Sequence, residues 1–207
     1  MVGGEIAALQ NDIEKLQFKR ASKDFILWEQ EMPRVVLFIA TSLDGYIASP
    51  DGTVDWLFHD ADYGYTEFMA SVDVVMMGRK TWEQARTFED VPFAGKRVIV
   101  FSRSQSNANE SRIRFVQGDP GITIPEIKSN VRKDIWLVGG GDLIQQFIYN
   151  NLIDEFCIFV HPIILGEGIP LFPRQSRRTD LSLESSQSFP SGLVELRYRQ
   201  QLPPVPP

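Results

Sequence analysis

The stretch that decides the fold is residues 77–83 (MGRKTWE). It follows residues 72–77 (VDVVMM), an apolar run with the length of a buried strand, and it opens a predicted helix near residues 81–86. Gly78 has no Cβ and lets the backbone approach a ligand, while Arg79 and Lys80 lie beside the N–H groups of the helix start. The pattern is compatible with an anion site, and a glycine turn followed by solvated basic residues is the alternative.

Two other predicted strands end in residues of the same kind. Residues 97–101 (RVIVF) run into Ser102 and Arg103, a hydroxyl and a guanidinium suited to a ribose phosphate. Residues 135–138 (IWLV) run into residues 139–142 (GGGD), where missing Cβ atoms leave room for a pyrophosphate at a helix start. A solvated arginine and a flexible turn are the alternatives. Because ligands of open α/β sheets lie across the carboxyl ends of the strands, these ends together predict one nucleotide site.

Apolar runs of strand length alternate with helical patterns along most of the chain, which predicts a mostly parallel sheet covered by helices. Near the C-terminus the order changes, because a Pro-Ser-Gly turn at residues 190–192 separates two strand-like segments and predicts an antiparallel hairpin. The predicted strands are residues 34–41, 72–77, 97–101, 135–138, 155–160, 181–189 and 193–200, and the predicted helices lie near 63–70, 81–86, 124–131 and 142–149.

The two ends of the chain differ from this pattern. Residues 1–31 carry a short apolar stripe with helical spacing, which predicts an amphipathic helix. We interpret this segment as an extension, natural or added, and a helix packed on the domain is the alternative. Residues 32–201 then form one domain, and residues 202–207 (LPPVPP) form an extended tail.

Composition limits the possible functions. The chain has 207 residues, with 21 lysines and arginines against 27 aspartates and glutamates, so its formal net charge is −6. An acidic balance disfavours a general nucleic-acid binder. One cysteine, Cys157, and two histidines leave little for disulfides or metals, and no apolar run reaches the about 20 residues that span a bilayer. We therefore expect a cytoplasmic protein with a small-molecule substrate, no metal and no membrane or nucleic-acid partner.

In their order and spacing, residues 77–83, 99–103 (IVFSR) and 138–141 (VGGG) resemble the dihydrofolate reductase superfamily. Residues 40–48 (ATSLDGYIA), and LIDE at 152–155 followed by HPIILG at 161–166, are closer to the C-terminal reductase domain of bacterial riboflavin biosynthesis proteins. The resemblance implies an α/β fold of dihydrofolate reductase type. Its central sheet would be mixed and mostly parallel, with flanking helices and a C-terminal antiparallel hairpin.

The resemblance also implies NADPH as cofactor, together with a cis peptide bond between Gly139 and Gly140. The residues it assigns to NADPH form four groups along the chain. They are Gly78, Arg79, Lys80 and Thr81 for the adenosine-side phosphates, Ser102 and Arg103 for the 2′-phosphate, Gly139, Gly140, Gly141, Asp142 and Leu143 for the pyrophosphate and nicotinamide ribose, and Ala40 and Ile47 beside the nicotinamide.

The substrate side matches neither family closely. Where dihydrofolate reductases carry the pterin carboxylate this chain has Ala61, and Lys96 replaces the arginine that grips the folate tail. We expect the proton to come from Asp44, Asp55 or a bound water. The expected substrate residues are Ser42, Trp56, Phe68 and His161, and residues 57–65 (LFHDADYGY) are predicted to cover the pocket as a lid.

Each of these assignments has a structural alternative. Asp44 suits a turn, Asp55 suits a helix cap, and His161 suits a purely structural role.

Two functional hypotheses follow. The first is an NADPH-dependent oxidoreductase that transfers hydride to a small heteroaromatic (pterin- or pyrimidine-like) or carbonyl substrate, with a homodimer as one expected assembly. The second is a non-catalytic nucleotide-binding or assembly module on the same fold, which oligomerises through residues 1–31.

Overall fold

The computed structural model describes residues 32–88, 93, 95–104, 112–173 and 178–201. Strands and helices alternate along these residues as the apolar runs predict. The predicted extension at 1–31 and the tail at 202–207 lie outside the described residues and stay predictions. The elements are β1 (Val35–Ser42), β2 (Tyr46–Ala48), α1 (Tyr65–Ser71), β3 (Val72–Gly78), α2 (Arg79–Ala85), β4 (Arg97–Phe101), β5 (Ile113–Val116), α3 (Pro120–Lys128), β6 (Asp134–Gly139), α4 (Gly141–Tyr149), β7 (Glu155–His161), β8 (Ile169–Pro170), β9 (Leu181–Ser188) and β10 (Val194–Gln200).

Eight strands form one sheet in the order β5-β4-β3-β6-β1-β7-β10-β9. The neighbours from β5 to β7 run parallel, whereas β10 pairs antiparallel with both β7 and β9. The mixed, mostly parallel sheet and the C-terminal hairpin are therefore confirmed. Strand β5 and the small antiparallel pair of β2 with β8 were not predicted, since their two to four residues are too short to show a pattern.

The sheet is covered on both faces, and the alternation of side chains along β1 decides which residue faces which layer. Val35 and Leu37 pack in a core cluster with residues of α3 and α4, whereas Val36 packs on the opposite face. Helix α4 buries Leu143, Ile144, Phe147 and Ile148, a stripe of helical spacing. Helices α1 and α2 contribute Phe68 and Trp82 to the other layer.

Helix α3 begins four residues before the predicted start at Ile124. Asp119 is its N-cap, and its carboxylate accepts the backbone N–H of Gly121 at 2.8 Å. Pro120 occupies the first helical position, where its missing N–H costs nothing. The apolar periodicity misses this first turn, because a cap and a proline define it.

The parallel strands bring their carboxyl ends to one edge of the sheet. Strands β4, β3, β6, β1 and β7 are consecutive neighbours, and they end at Phe101, Gly78, Gly139, Ser42 and His161. This edge therefore collects the residues that the sequence singles out.

In the described parts of the chain, no helix has the length and apolar character needed to cross a membrane.

Candidate active site

A cleft of about 1650 Å³ opens along this edge of the sheet. It brings together all the residues that the resemblance assigns to the cofactor. These lining residues are Ala40, Ile47, Gly78, Arg79, Lys80, Thr81, Ser102, Arg103, Gly139, Gly140, Gly141, Asp142 and Leu143.

Glycines shape the middle of the cleft. The Gly139–Gly140 peptide bond is cis, as predicted, and Gly139 has φ 129°, a conformation that favours glycine. A Cβ on Gly140 would lie 3.4 Å from Thr81 Oγ1, and a Cβ on Gly141 would lie 2.9 Å from the carbonyl oxygen of Pro170. The junction of β6 and α4 therefore presents bare backbone to the cleft beside the start of α2.

Cations lie at the end of the cleft formed by β3 and β4. Arg79 Nε donates to Glu83 Oε1 at 2.8 Å, and its Nη1 donates to Ser104 Oγ at 3.1 Å. Arg103 Nη2 lies 3.2 Å from Asp142 Oδ2, although the Arg103 side chain is 91% exposed. Exposed ion pairs contribute about 0–1 kcal/mol, so a polyanionic ligand can take over these guanidinium groups at small cost.

Aromatic rings line the opposite end of the cleft, beyond β1. His161 closes β7, is buried, and packs with its ring centroid 4.8 Å from that of Phe58. Burial lowers the pKa of His161, and the nearby His59 adds to this effect, whereas the carbonyl of Phe159 opposes it. The imidazole is therefore neutral near pH 7.

The structure places Asp44 in a tight network away from the cleft lining. Its carboxylate accepts the hydroxyl of Ser42 at 2.6 Å and the backbone N–H groups of Leu165 and Gly166 at 3.1 and 2.8 Å. The Ser42 hydrogen bond is the main cause of a lowered pKa for Asp44, and the two N–H groups add to it. These contacts match the turn alternative, and Ser42 belongs to the same network.

Asp55, Trp56 and Phe68 do not line the cleft either. Asp55 is exposed, while the Trp56 ring meets the His161 ring edge-on, with centroids 5.1 Å apart. Phe68 stacks on Phe38 with centroids 4.1 Å apart and planes 7° apart. Trp56 and Phe68 thus support the rings that line the cleft. Of the predicted substrate residues, His161 alone lines it.

The sequence reasoning missed several cleft residues. On β1 and β7, Phe38 and Phe159 face the cleft with ring centroids 4.7 Å apart, and Leu193 adds an apolar side chain before β10. Their positions in alternating runs identify them as buried but not as ligand-facing. The segment predicted as a lid does contribute to the lining, through Leu57, Phe58, His59, Ala61, Asp62, Tyr63 and Tyr65.

Lys96, which the resemblance places where folate reductases carry an arginine, has a structural role here. Its Nζ donates to the carbonyl oxygens of Met69 and Val72 at 2.6 and 2.7 Å. It therefore satisfies carbonyls at the end of α1 and does not line the cleft.

Across the described ranges, no group of three or more His, Cys, Asp or Glu side chains could hold a metal ion.

The sheet topology and the glycine-lined cleft define a reductase-type α/β domain, and comparison with known proteins assigns the family. The model of the RibD C-terminal domain matches residues 33–195, and the chain belongs to this family. It is 36% identical over 177 residues to the uncharacterized protein YyaP of Bacillus subtilis strain 168, covering 80% of this chain and 94% of YyaP.

Solved structures agree with this assignment. A protein of Shewanella sp. PV-4, assigned to riboflavin biosynthesis, superposes with a TM-score of 0.74 at 30% identity, over 82% of this chain and 99% of that one. Dihydrofolate reductase of Enterococcus faecalis, solved in complex with NADP(H) and RAB-propyl, gives a TM-score of 0.62 at 13% identity, over 81% and 96% of the two chains. The second likeness shows the fold alone.

Proposed function

We propose that this protein is an NADPH-dependent reductase that transfers hydride to a small heteroaromatic or carbonyl substrate. One observation carries the proposal: the ends of β4, β3 and β6, each with a glycine or a cation, open into the same cleft. Three anion-binding elements on adjacent strands suit a dinucleotide, which spreads its phosphates along such an edge.

The residues of the cleft fit NADP(H). A Cβ on Gly141 would clash with the carbonyl oxygen of Pro170, and Gly140 lies bare beside Thr81, so a pyrophosphate would lie against bare N–H groups at the start of α4. Arg79 and Arg103 lie within reach of a 2′-phosphate beside Ser102 and Ser104. A guanidinium binds such a dianion with paired, charge-assisted hydrogen bonds.

When bound, NADPH supplies a hydride from its nicotinamide ring. This chain would hold that ring between Ala40 and Ile47 and would exclude water with the aromatic side chains of the cleft. Asp44 and Asp55 do not line the cleft, so the proposal assigns the proton to a water molecule at the cleft mouth. With a single buried cysteine and NADPH as donor, the cytoplasm is the proposed compartment.

Nucleotide titration tests the proposal directly. Purified protein is titrated with NADPH and with NADH, and binding is followed by quenching of the four tryptophans. We expect NADPH to bind more tightly, and Arg103→Ala to weaken NADPH by roughly tenfold while changing NADH little. Arg79→Ala should likewise weaken NADPH binding more than NADH binding.

The matched control is Arg114→Ala. Arg114 is an exposed arginine on β5 that pairs with Glu126 and does not line the cleft. Unchanged nucleotide affinity in both cleft variants would refute the site assignment. If NADPH binds, its oxidation in the presence of pterins, pyrimidines and small carbonyls tests turnover.

A further inference from the structure

The cleft carries its lysine and arginine side chains at one end, whereas aromatic rings line much of its length. Among the described residues, the lysine and arginine side chains that line it are Arg79, Lys80 and Arg103, which follow β3 and β4. His161 ends β7, three strands from β3 in the order β3-β6-β1-β7. With neighbouring strands about 4.8 Å apart, the ends of β3 and β7 are separated by about 14 Å. A dinucleotide bound to the cations therefore leaves the far end to a second ligand.

We name the far end the aromatic wall. Its rings pack in two groups: Phe38 lies 4.7 Å from Phe159 and 6.4 Å from Tyr65, and Phe58 lies 4.8 Å from His161 between ring centroids. Phe38, Phe58 and Tyr63 also pack against one apolar cluster that contains Phe159. Aromatic rings recognise a flat ligand by stacking and edge contacts. The aromatic wall consists of Phe38, Phe58, Tyr63, Tyr65, Phe159 and His161.

The charges at the aromatic wall oppose an anionic ligand. Asp62 lines the cleft within this wall and is exposed, and its carboxylate accepts the backbone N–H and the hydroxyl of Thr66 at the start of α1. His161 is buried between Trp56 and Phe58 and carries no positive charge near pH 7. A phosphate placed here would lose water, meet a carboxylate and lie on the side of the cleft away from Arg79 and Arg103.

We propose that the second ligand, the substrate of the proposed reductase, is a planar ring compound without a phosphate group, bound against the aromatic wall. This inference rests on the proposed function. It narrows the substrate class to uncharged heteroaromatic compounds and their nucleosides, and it excludes their phosphate esters.

Two matched ligand pairs test the inference by calorimetry. Riboflavin and flavin mononucleotide differ by one phosphate, as do uridine and uridine 5′-monophosphate. Each compound is titrated into protein already saturated with NADP⁺, which occupies the arginines. We expect at least one unphosphorylated compound to bind and its phosphate ester to bind roughly tenfold more weakly. Equal or tighter binding of the ester would overturn the proposal, as would the absence of binding for both pairs.

A variant separates charge from shape. Asp62→Asn keeps an oxygen acceptor for Thr66 but removes the negative charge from the wall. It should reduce the ratio of the dissociation constants of the phosphate ester and of the unphosphorylated compound by about threefold. This ratio is the affinity gap of a ligand pair. The control Asp51→Asn changes an exposed turn residue that does not line the cleft, and it should leave the gap as it is. An unchanged gap in Asp62→Asn would contradict the charge argument.

Failure of the proposed function gives a different result. In that case the protein binds neither NADPH nor NADP⁺. The ligand pairs are then titrated into the Arg79→Ala, Arg103→Ala double variant, which removes both arginines of the other end. The difference between the two members of each pair still decides whether the aromatic wall rejects phosphate.

Discussion

The backbone N–H of Phe58 donates to Nε2 of His161 at 3.3 Å, and this bond joins the segment before α1 to the end of β7. Nδ1 of the same ring lies 3.4 Å from the carbonyl oxygen of Phe159. A neutral imidazole with its proton on Nδ1 satisfies both contacts, whereas an imidazolium could not accept from Phe58. In its neutral form, His161 therefore links two segments of the aromatic wall by hydrogen bonds.

This relationship predicts a pH dependence of stability. Because burial lowers the pKa of His161 in the folded state, the unfolded chain takes up the proton first as the pH falls. The contribution of His161 is thus complete above the ordinary value of 6.5 and decreases below it, toward the lower folded-state pKa. Urea unfolding of the wild type should show this loss as the pH falls below 6.5.

The variant His161→Gln supplies the comparison, because glutamine does not titrate in this range. Its free energy of unfolding should change less with pH than that of the wild type. His59→Gln is the comparison, since it leaves the bond between Phe58 and His161 in place and removes only the smallest of the causes that act on the pKa of His161, so most of the pH dependence should remain. Equal pH slopes for His161→Gln and the wild type would show that the ring is not buried in its neutral form.

Asp44 should contribute to stability at neutral pH, and this contribution should be lost in acid. Its pKa is lowered mainly by the Ser42 hydroxyl, so its contribution is present above the ordinary value of 3.8 and is lost as the pH falls through the folded-state pKa. Asp44→Asn should lower the melting temperature at neutral pH and reduce the further loss in acid, as measured by thermal unfolding. Asp55→Asn, at an exposed site, should do neither.

The variant Asp44→Asn also tests whether Asp44 takes part in cofactor binding. If Asp44 has only the turn role, Asp44→Asn should retain NADPH affinity, because its carboxylate holds the backbone of Leu165 and Gly166 and does not line the cleft. A loss of NADPH affinity in a variant that still folds would contradict this separation.

Gly139→Ala should damage the cofactor site. At φ 129° an alanine is strained, and its Cβ would lie 3.5 and 3.6 Å from the Cδ1 atoms of Ile144 and Ile39. We expect a loss of roughly 1–3 kcal/mol in the free energy of unfolding, together with much weaker NADPH binding. Gly166→Ala is the control, because Gly166 also has a positive φ of 79° but has open space around it and does not line the cleft. Equal loss of NADPH affinity in both variants would contradict the prediction.

Lys96 should contribute to the stability of the fold and not to NADPH binding. Lys96→Met removes the ammonium that binds the carbonyls of Met69 and Val72, and it should cost roughly 1–3 kcal/mol in chemical unfolding. Its NADPH affinity should equal that of the wild type. Lys80→Met is expected to show the reverse pattern, because Lys80 is exposed and lines the cleft. Weakened NADPH binding in Lys96→Met would refute the structural role.

The parts of the fold that were predicted from the sequence are those with a strong local pattern. Residues 72–83 show a buried strand, a glycine and a helix in succession, and the structure has β3, Gly78 and α2 there. The VGGG motif likewise marks the end of β6. In contrast, β5 and β8 are short and owe their strand conformation to pairing with β4 and β2. Pairing of this kind depends on residues distant in sequence.

The two ends of the cleft show the same contrast between local sequence patterns and contacts between distant residues. The sequence alone determined the α/β fold and the glycine- and arginine-bearing strand ends, because each lies within a few consecutive residues whose backbone conformation is set locally. Only the tertiary structure decided that Phe58 contacts His161 and that Phe38 contacts Phe159, and that Asp44 faces a turn. Those contacts join side chains up to about 120 residues apart, and the packing of strands and loops, rather than any local pattern, selects them.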